Sequence, residues 1–410
     1  MVELKYRPFV VAALLVACVG VAAAQGPPQD YPQWRGLNRD GAASAFAEPT
    51  SWPDTLTRKW KVDVGEGYAT PLVVGDTVYV FTRQNGTEVV TALEAETGKE
   101  RWHTSYPAPY APDTPAAAHG VGPKATPLFH RGRLYTLGIT GVVSSFDAST
   151  GKIVWQTPAA SEHPSYGTSV SPVAEDDLVI LHPGNHGPLT AFDANTGVVR
   201  WAGTDRGAYA SPMIVELSGI RQVVTMTQKS VLGVSLADGA RLWEYPWTSR
   251  STPSAITPIV YNETLIVSSQ AMGVTALRPT RRADGWDVNV VWATKDVSLF
   301  LSNPVIVGDT LFGLSEKARG QFFALDARSG NVLWLGRPRQ ASNSAIVKAG
   351  SLLLLLNDDG QLIVARSSRN GFEELKRYTV AISATWAQPA VSGNRLFVKD
   401  VASLSLWMLQ

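Results

Sequence analysis

Phe146-Asp147-Ala148-Ser149-Thr150-Gly151-Lys152-Ile153-Val154-Trp155 is the stretch whose reading decides the fold. The phrase returns as Phe192-Asp193-Ala194-Asn195-Thr196-Gly197…Trp201 and as Leu325-Asp326-Ala327-Arg328-Ser329-Gly330…Trp334. Looser copies run Leu93-Glu94-Ala95-Glu96-Thr97-Gly98…Trp102 and Leu236-Ala237-Asp238-Gly239…Trp243. In every copy the Gly-to-Trp step is four residues, as from 151 to 155. Asp, Thr and Gly are turn formers. A phrase repeated at a steady period marks a repeat architecture.

A second landmark keeps the same period. A small residue followed by Pro opens a strand at Thr70-Pro71, Thr126-Pro127, Ser171-Pro172, Ser211-Pro212, Thr257-Pro258, Asn303-Pro304 and Gln388-Pro389, with a Pro-less copy at Ser344-Ala345. The steps between them are 56, 45, 40, 46, 46, 41 and 44 residues. Trp60 and Trp292 extend the Trp series, and an eighth, degraded copy is expected near Leu375. Eight starts and eight ends predict eight units.

One unit divides into four strands. Leu72-Val73-Val74 is followed by the Gly75-Asp76 turn, then a β-branched run over 77–82, then a turn at Gln84-Asn85-Gly86. A third strand over 88–95 meets the Thr97-Gly98 turn, and Arg101-Trp102 falls in the fourth. Four strands in about 45 residues is the pattern of a β-propeller blade. Only 21 residues follow Pro389, which is room for three strands. Arg58-Lys59-Trp60-Lys61 has the fourth-strand pattern with no unit before it. Pairing the two ends in one blade closes the ring and removes exposed sheet edges. The expected fold is therefore all-β: an eight-bladed β-propeller of four-stranded antiparallel blades, spanning residues 57–410 after a lead-in at 25–56.

The bulk composition agrees with a folded chain. Hydrophobic residues make up 45%, enough for a large core, and the net charge of +1 leaves no electrostatic footprint for nucleic acid. The first residues carry a secretory pattern. Lys5 and Arg7 precede an apolar run over 9–17, and Ala22-Ala23-Ala24 offers a cleavage site. Residues 1–24 are thus expected to be a signal peptide, the mature chain being exported to the periplasm, tethered to the outer membrane, or secreted. The run is too short for a membrane span, as is Leu352-Leu353-Leu354-Leu355-Leu356. Cys18, the single cysteine, lies in Leu15-Val16-Ala17-Cys18, which resembles a bacterial lipobox. It is either a lipidation site, the one route to a membrane, or a residue discarded with the signal.

These residues resemble the PQQ-like propeller repeat, and the resemblance covers residues 31–410. It implies that Trp60, Trp102, Trp155, Trp201, Trp243, Trp292 and Trp334 dock each blade on its neighbour's turn. The opening Tyr31-Pro32-Gln33-Trp34-Arg35-Gly36-Leu37-Asn38-Arg39-Asp40-Gly41 resembles the lead-in of secreted bacterial propellers of this type. Two occupations follow from the resemblance. BamB-like members bind no quinone and present a surface to other proteins. Quinoprotein alcohol or sugar dehydrogenases hold PQQ and Ca²⁺ in the central funnel.

The segments from each Trp strand to the next Pro strand run from a blade's outer edge to the ring's centre, so they are expected to line the funnel mouth. They carry Glu66 and Tyr68, His119 and Lys124, His163 and Tyr166, Arg206 and Tyr209, Arg250, Asp296 and Phe300, Asn343 and Trp386, with Asn303 opening a strand. Lys124, Arg206 and Arg250 are the cations that could hold an anionic ligand there. The competing reading is a plain polar loop surface. The 103–125 segment, with five prolines, is the expected lid or docking loop.

Catalytic signals are sparse. The dehydrogenases typically place adjacent cysteines by the quinone, and no cysteine follows Cys18. Glu66, Asn303 and Asp296 are the right residue types for Ca²⁺ but match no motif residue by residue. His182 and His186 flank Pro-Gly, which predicts a hairpin tip rather than a metal site. Arg278-Pro279-Thr280-Arg281-Arg282-Ala283-Asp284-Gly285-Trp286 replaces the turn phrase in the fifth unit, as a partner-docking prong or a solvated extension. The expectation is a monomeric, non-catalytic scaffold with protein partners, without cofactor or metal. PQQ and Ca²⁺ belong to the dehydrogenase alternative.

Overall fold

The computed structural model describes residues 1–2, 30–249 and 252–410. The signal segment, Cys18 and Arg250 lie outside the described residues. The chain forms eight four-stranded antiparallel sheets arranged as an eight-bladed propeller. Seven blades are sequential meanders, the first built from Leu72–Val74, Thr77–Gln84, Thr87–Glu94 and Glu100–Pro107. Blade 2 covers residues 128–156, blade 3 173–202, blade 4 213–246, blade 5 259–294, blade 6 305–335 and blade 7 344–379. Blade 8 joins the two ends of the fold. Thr57–Asp63 pairs with Ser403–Met408, putting Trp60 opposite Leu406.

Burial follows strand position. Middle strands are covered by the neighbouring blades on both faces, so they tolerate unbroken apolar runs. Leu352–Asn357 is buried throughout, which explains its five leucines without a membrane. Outer strands face solvent on one side and alternate, as in Glu100–Pro107.

The repeated phrase builds two things at once. Asp147 Oδ1 accepts hydrogen bonds from the Ser149 and Thr150 amides at 3.1 and 2.9 Å, and from their hydroxyls at 2.7 and 2.8 Å. These bonds stabilise the ionised carboxylate and hold Asp147 well below the usual range. The Trp then reaches the next blade. Indole N–H groups of Trp60, Trp155, Trp201 and Trp292 donate to the carbonyls of Ala95, Ala194, Leu236 and Ala327, each at 2.9–3.0 Å. Trp334 donates to Ser368 at 2.9 Å, and Trp102 lies against Gly151 of blade 2.

Trp243 differs: its N–H goes to Gln222 within its own blade at 2.6 Å, because blade 5 has no turn phrase to receive it. In blade 7 the position is taken by Lys376, one residue beyond the expected Leu375. A bulge precedes the Trp place in every fourth strand, as where Ala191 faces Trp201 and Phe192 faces Val199. In blade 7 that register puts Val364 opposite Lys376. Blade 8 is where the chain ends meet, so it offers no turn for a Trp. Lys376 instead pairs with Asp54 at 2.9 Å, and the Tyr378 hydroxyl donates to Pro53 O at 2.7 Å.

The residues before the prolines form an inner hydrogen-bonded chain from blade 1 to blade 6. The backbone N–H of Thr70 donates to Thr126 Oγ1, Thr126 to Ser171 Oγ, Ser171 to Ser211 Oγ, Ser211 to Thr257 Oγ1 and Thr257 to Asn303 Oδ1, at 2.9–3.1 Å. Blades 2 to 6 each supply the oxygen that satisfies the preceding blade's buried amide.

The lead-in plugs one end of the channel. Tyr31 exchanges backbone bonds with Val73, and Phe129 N–H donates to Pro32 O. Arg39 donates to Pro172 O and Arg35 to Pro304 O, at 2.8 and 2.6 Å. Lys348 N–H donates to Gly41 O, and Ser44 N–H to Val391 O. The segment thus ties blades 1, 2, 3, 6, 7 and 8 together across the axis. Towards blades 4 and 5 it leaves a groove of about 260 Å³.

The basic 278–286 stretch is an elongated hairpin whose tip, Arg281 to Gly285, is exposed to solvent while its base is anchored. It belongs to Gly273–Arg282 paired with Gly285–Thr294, folded onto blade 4. Trp286 and Val288 pack against the core cluster containing Trp243 and Trp247.

Candidate functional site

The central channel, plugged at one end, becomes a cup of about 370 Å³. Its floor is Trp34 of the lead-in, with the guanidinium groups of Arg35 and Arg39 at 5.6 and 5.3 Å from its ring. Both arginines are buried, which lowers them to about 10 and about 9. They remain cations at neutral pH; carbonyls accept from both, while Arg39 Nε has no partner among the described residues.

The wall is aromatic. Trp386 lies 6.4 Å from Tyr68 and 5.5 Å from His119; His119 lies 5.2 Å from Tyr166, and Tyr166 lies 6.4 Å from Tyr209, as ring centroids. The 103–125 segment supplies His119 and Lys124, so this loop forms wall as well as rim. Lys124 Nζ donates to Tyr166 O. Burial lowers Lys124 to about 8, and His119 is lowered by burial and by the Lys124 charge. The ammonium is therefore charged at neutral pH while the imidazole is neutral.

Of the expected mouth residues, Tyr68, His119, Lys124, Tyr166, Tyr209, Phe300, Asn303, Asn343 and Trp386 line the cup. Glu66, His163, Arg206 and Asp296 do not. Glu66 is exposed, its backbone paired with Arg83. His163 turns aside to Tyr110, 4.7 Å away. Arg206 is exposed and donates to Asn185 O at 3.2 Å. Asp296 is exposed beside Thr294. Sequence reasoning missed Trp34, Ser169, Ser171, Ser211 and Thr257. The Ser/Thr-Pro landmark already pointed to three of these five; the floor had no signal, because it comes from outside the repeats.

A calcium–quinone centre would need carboxylate donors in the cup. None lines it among the described residues, and Glu66 and Asp296 lie outside it. No group of three or more His, Cys, Asp or Glu among the described residues could hold a metal ion. The cup does not fit a calcium ion. His182 and His186 flank the expected hairpin tip. His182 is buried, with Nδ1 against Gly187 O at 2.9 Å and Nε2 against Thr225 Oγ1 at 2.8 Å, so both nitrogens are occupied by structure.

A family model described as outer membrane protein assembly factor BamB matches residues 52–137 and 86–336. The chain belongs to this family. BamB of Yersinia pestis is 26% identical over 367 residues, 86% of this chain and 78% of the relative. A quinohemoprotein alcohol dehydrogenase, ADH-IIG of Pseudomonas putida, is 28% identical over 159 residues, but these are 36% of this chain and 21% of the enzyme. The crystal structure of BamB from Moraxella catarrhalis superposes with a TM-score of 0.65 at 17% identity, covering 87% of this chain and 98% of that one. That likeness carries the fold: a BamB-type ring of eight blades. No helix among the described residues is long and apolar enough to cross a membrane.

Proposed function

We propose that this chain is an exported, non-catalytic scaffold of the bacterial cell envelope that works with outer-membrane assembly proteins through the loops around its cup. One observation carries the reading. In sequence, a BamB relative matches 86% of this chain, whereas the quinone alcohol dehydrogenases match about a third of it, although their folds superpose on the whole ring as BamB's does. The cup's lack of carboxylate donors supports the same side, since calcium-assisted oxidation needs them. Residues 1–24 serve as the export signal in this reading. Cleavage after Ala24 discards Cys18 with the signal, whereas cleavage before Cys18 leaves it as the lipid anchor; Trp60 to Trp334 hold the blades rigid behind the loops. The ring acts as a monomer.

The test is in-cell crosslinking from a photoreactive residue at Asp113, exposed on the 103–125 loop. The expected outcome is a crosslink to an outer-membrane assembly protein, lost when the probe is moved to the outer strand at Val199. Retention of PQQ with Ca²⁺ by the purified protein, with dye-linked alcohol oxidation and no such crosslink, would sink the scaffold reading and establish the dehydrogenase.

A further inference from the structure

The hydrogen-bonding polarity of the cup is one-sided. Ser171, Ser211 and Thr257 each accept a backbone N–H at the side-chain oxygen, which leaves the hydroxyl proton to be given. Asn303 and Asn343 likewise spend Oδ1 on Thr257 N–H and the Ser302 hydroxyl. Their NH₂ groups have no partner among the described residues, and both side chains line the cup. An ammonium carries three donors, and Lys124 directs one to Tyr166 O, with no carboxylate paired to it among the described residues. Arg35 and Arg39 add positive potential beneath the floor. No acidic side chain lines the cup among the described residues. Free donors and a cation with no carboxylate beside them are complementary to an anion.

The rest of the surface selects the body of that anion. Trp34 borders the cup together with Tyr68, Tyr166, Tyr209 and Trp386. Such rings favour a planar apolar group stacked or set edge-on. Lys124, the one cation lining the wall among the described residues, matches one negative charge.

We propose that the cup binds an aromatic monocarboxylate, its carboxylate at Lys124 Nζ and the Asn303 and Asn343 amides, its ring over Trp34 and against Trp386. The same chemistry is offered by a free aromatic acid and by a polypeptide ending in an aromatic residue, since the cup is open at its loop face. This binding is separate from the scaffold reading: it holds or fails whether or not the loops engage an assembly protein.

The test uses the full mature chain and tryptophan fluorescence or calorimetry. The probes are indole-3-acetate, indole-3-acetamide, and a pentapeptide ending in phenylalanine with a free or amidated C-terminus. The expected result is saturable binding of an acid form, with the matching amide at least about tenfold weaker, the loss of one charge-assisted contact. Lys124→Met brings the acid down to the amide's affinity, whereas Trp386→Ala weakens acid and amide alike. Binding of indole-3-acetate alone assigns a free acid, and binding of the peptide alone assigns a chain end; both support the carboxylate site. Equal binding of acid and amide overturns it, as does no saturable binding of any probe. So does a tricarboxylate quinone that binds more tightly than the mono-acids. The acid–amide comparison needs no variant, so it stands even if Lys124→Met fails to fold.

Discussion

A Cβ on Gly151 would sit 2.4 Å from the Trp102 ring, and its φ of +75° already lies in the left-handed region. Gly132, in the hairpin of the same blade, has φ +77° and nothing within 4 Å. The pair separates backbone cost from docking cost. Gly132→Ala is expected to lose about 1 kcal/mol through its φ alone. Gly151→Ala is expected to lose a further ~1–3 kcal/mol, because the indole must shift from the interface between blades 1 and 2. Urea denaturation of the two variants checks this, and equal losses would remove the Trp from the account. At this scale the sequence was informative where partners are local. Asp147 and Thr150 are three residues apart, so the turn was legible. The role of Ser171 was not: it serves the amide of Thr126, a full blade away.

The blade-5 hairpin shows what happens to an element whose turn phrase is lost. Its two ten-residue strands run past the ordinary blade edge and lean on blade 4. Ser218 Oγ donates to Pro279 O at 3.4 Å and accepts from Arg281 N–H at 3.3 Å, and Trp286 covers the same junction. The hairpin therefore does for blades 4 and 5 what the Trp243 indole does not do. Trp286→Ala is expected to release it: trypsin should cleave after Arg281 or Arg282 several-fold faster than in the parent chain, with the rest of the ring intact. Unchanged cleavage would mean that the hairpin is held elsewhere. The length and charge of this element were legible in the sequence, but not its direction, which depends on a neighbouring blade's surface.

For the whole molecule, closure and plug are separable. A chain beginning at residue 51 loses Trp34, Arg35 and Arg39 but keeps Thr57–Asp63, so it should stay monodisperse with a lowered melting temperature. A chain beginning at residue 64 lacks the fourth strand of blade 8 and bares the edge of Ser403–Met408. It should form higher oligomers by light scattering; a monodisperse product would show that closure by pairing is dispensable. Closure was legible because a count of strands came up one short at one end and one over at the other. The plug was not, because Arg35 and Arg39 bind backbone carbonyls, which leave no trace in residue identity. The same closure also sets a waiting time. Thr57–Asp63 is synthesised at least 340 residues before its partner Ser403–Met408, counted from 63 to 403. At roughly 5–20 residues per second this strand stays without its mate for on the order of 20–70 s. An unpaired apolar edge left that long would find other chains. Arg58, Lys59 and Lys61, all exposed in the finished ring, put like charges along it. In the finished ring Arg58 lies 5.5 Å over the Trp407 ring and Lys61 3.8 Å from Asp400, and before the ring exists the same charges keep the first strand made soluble until the last is complete.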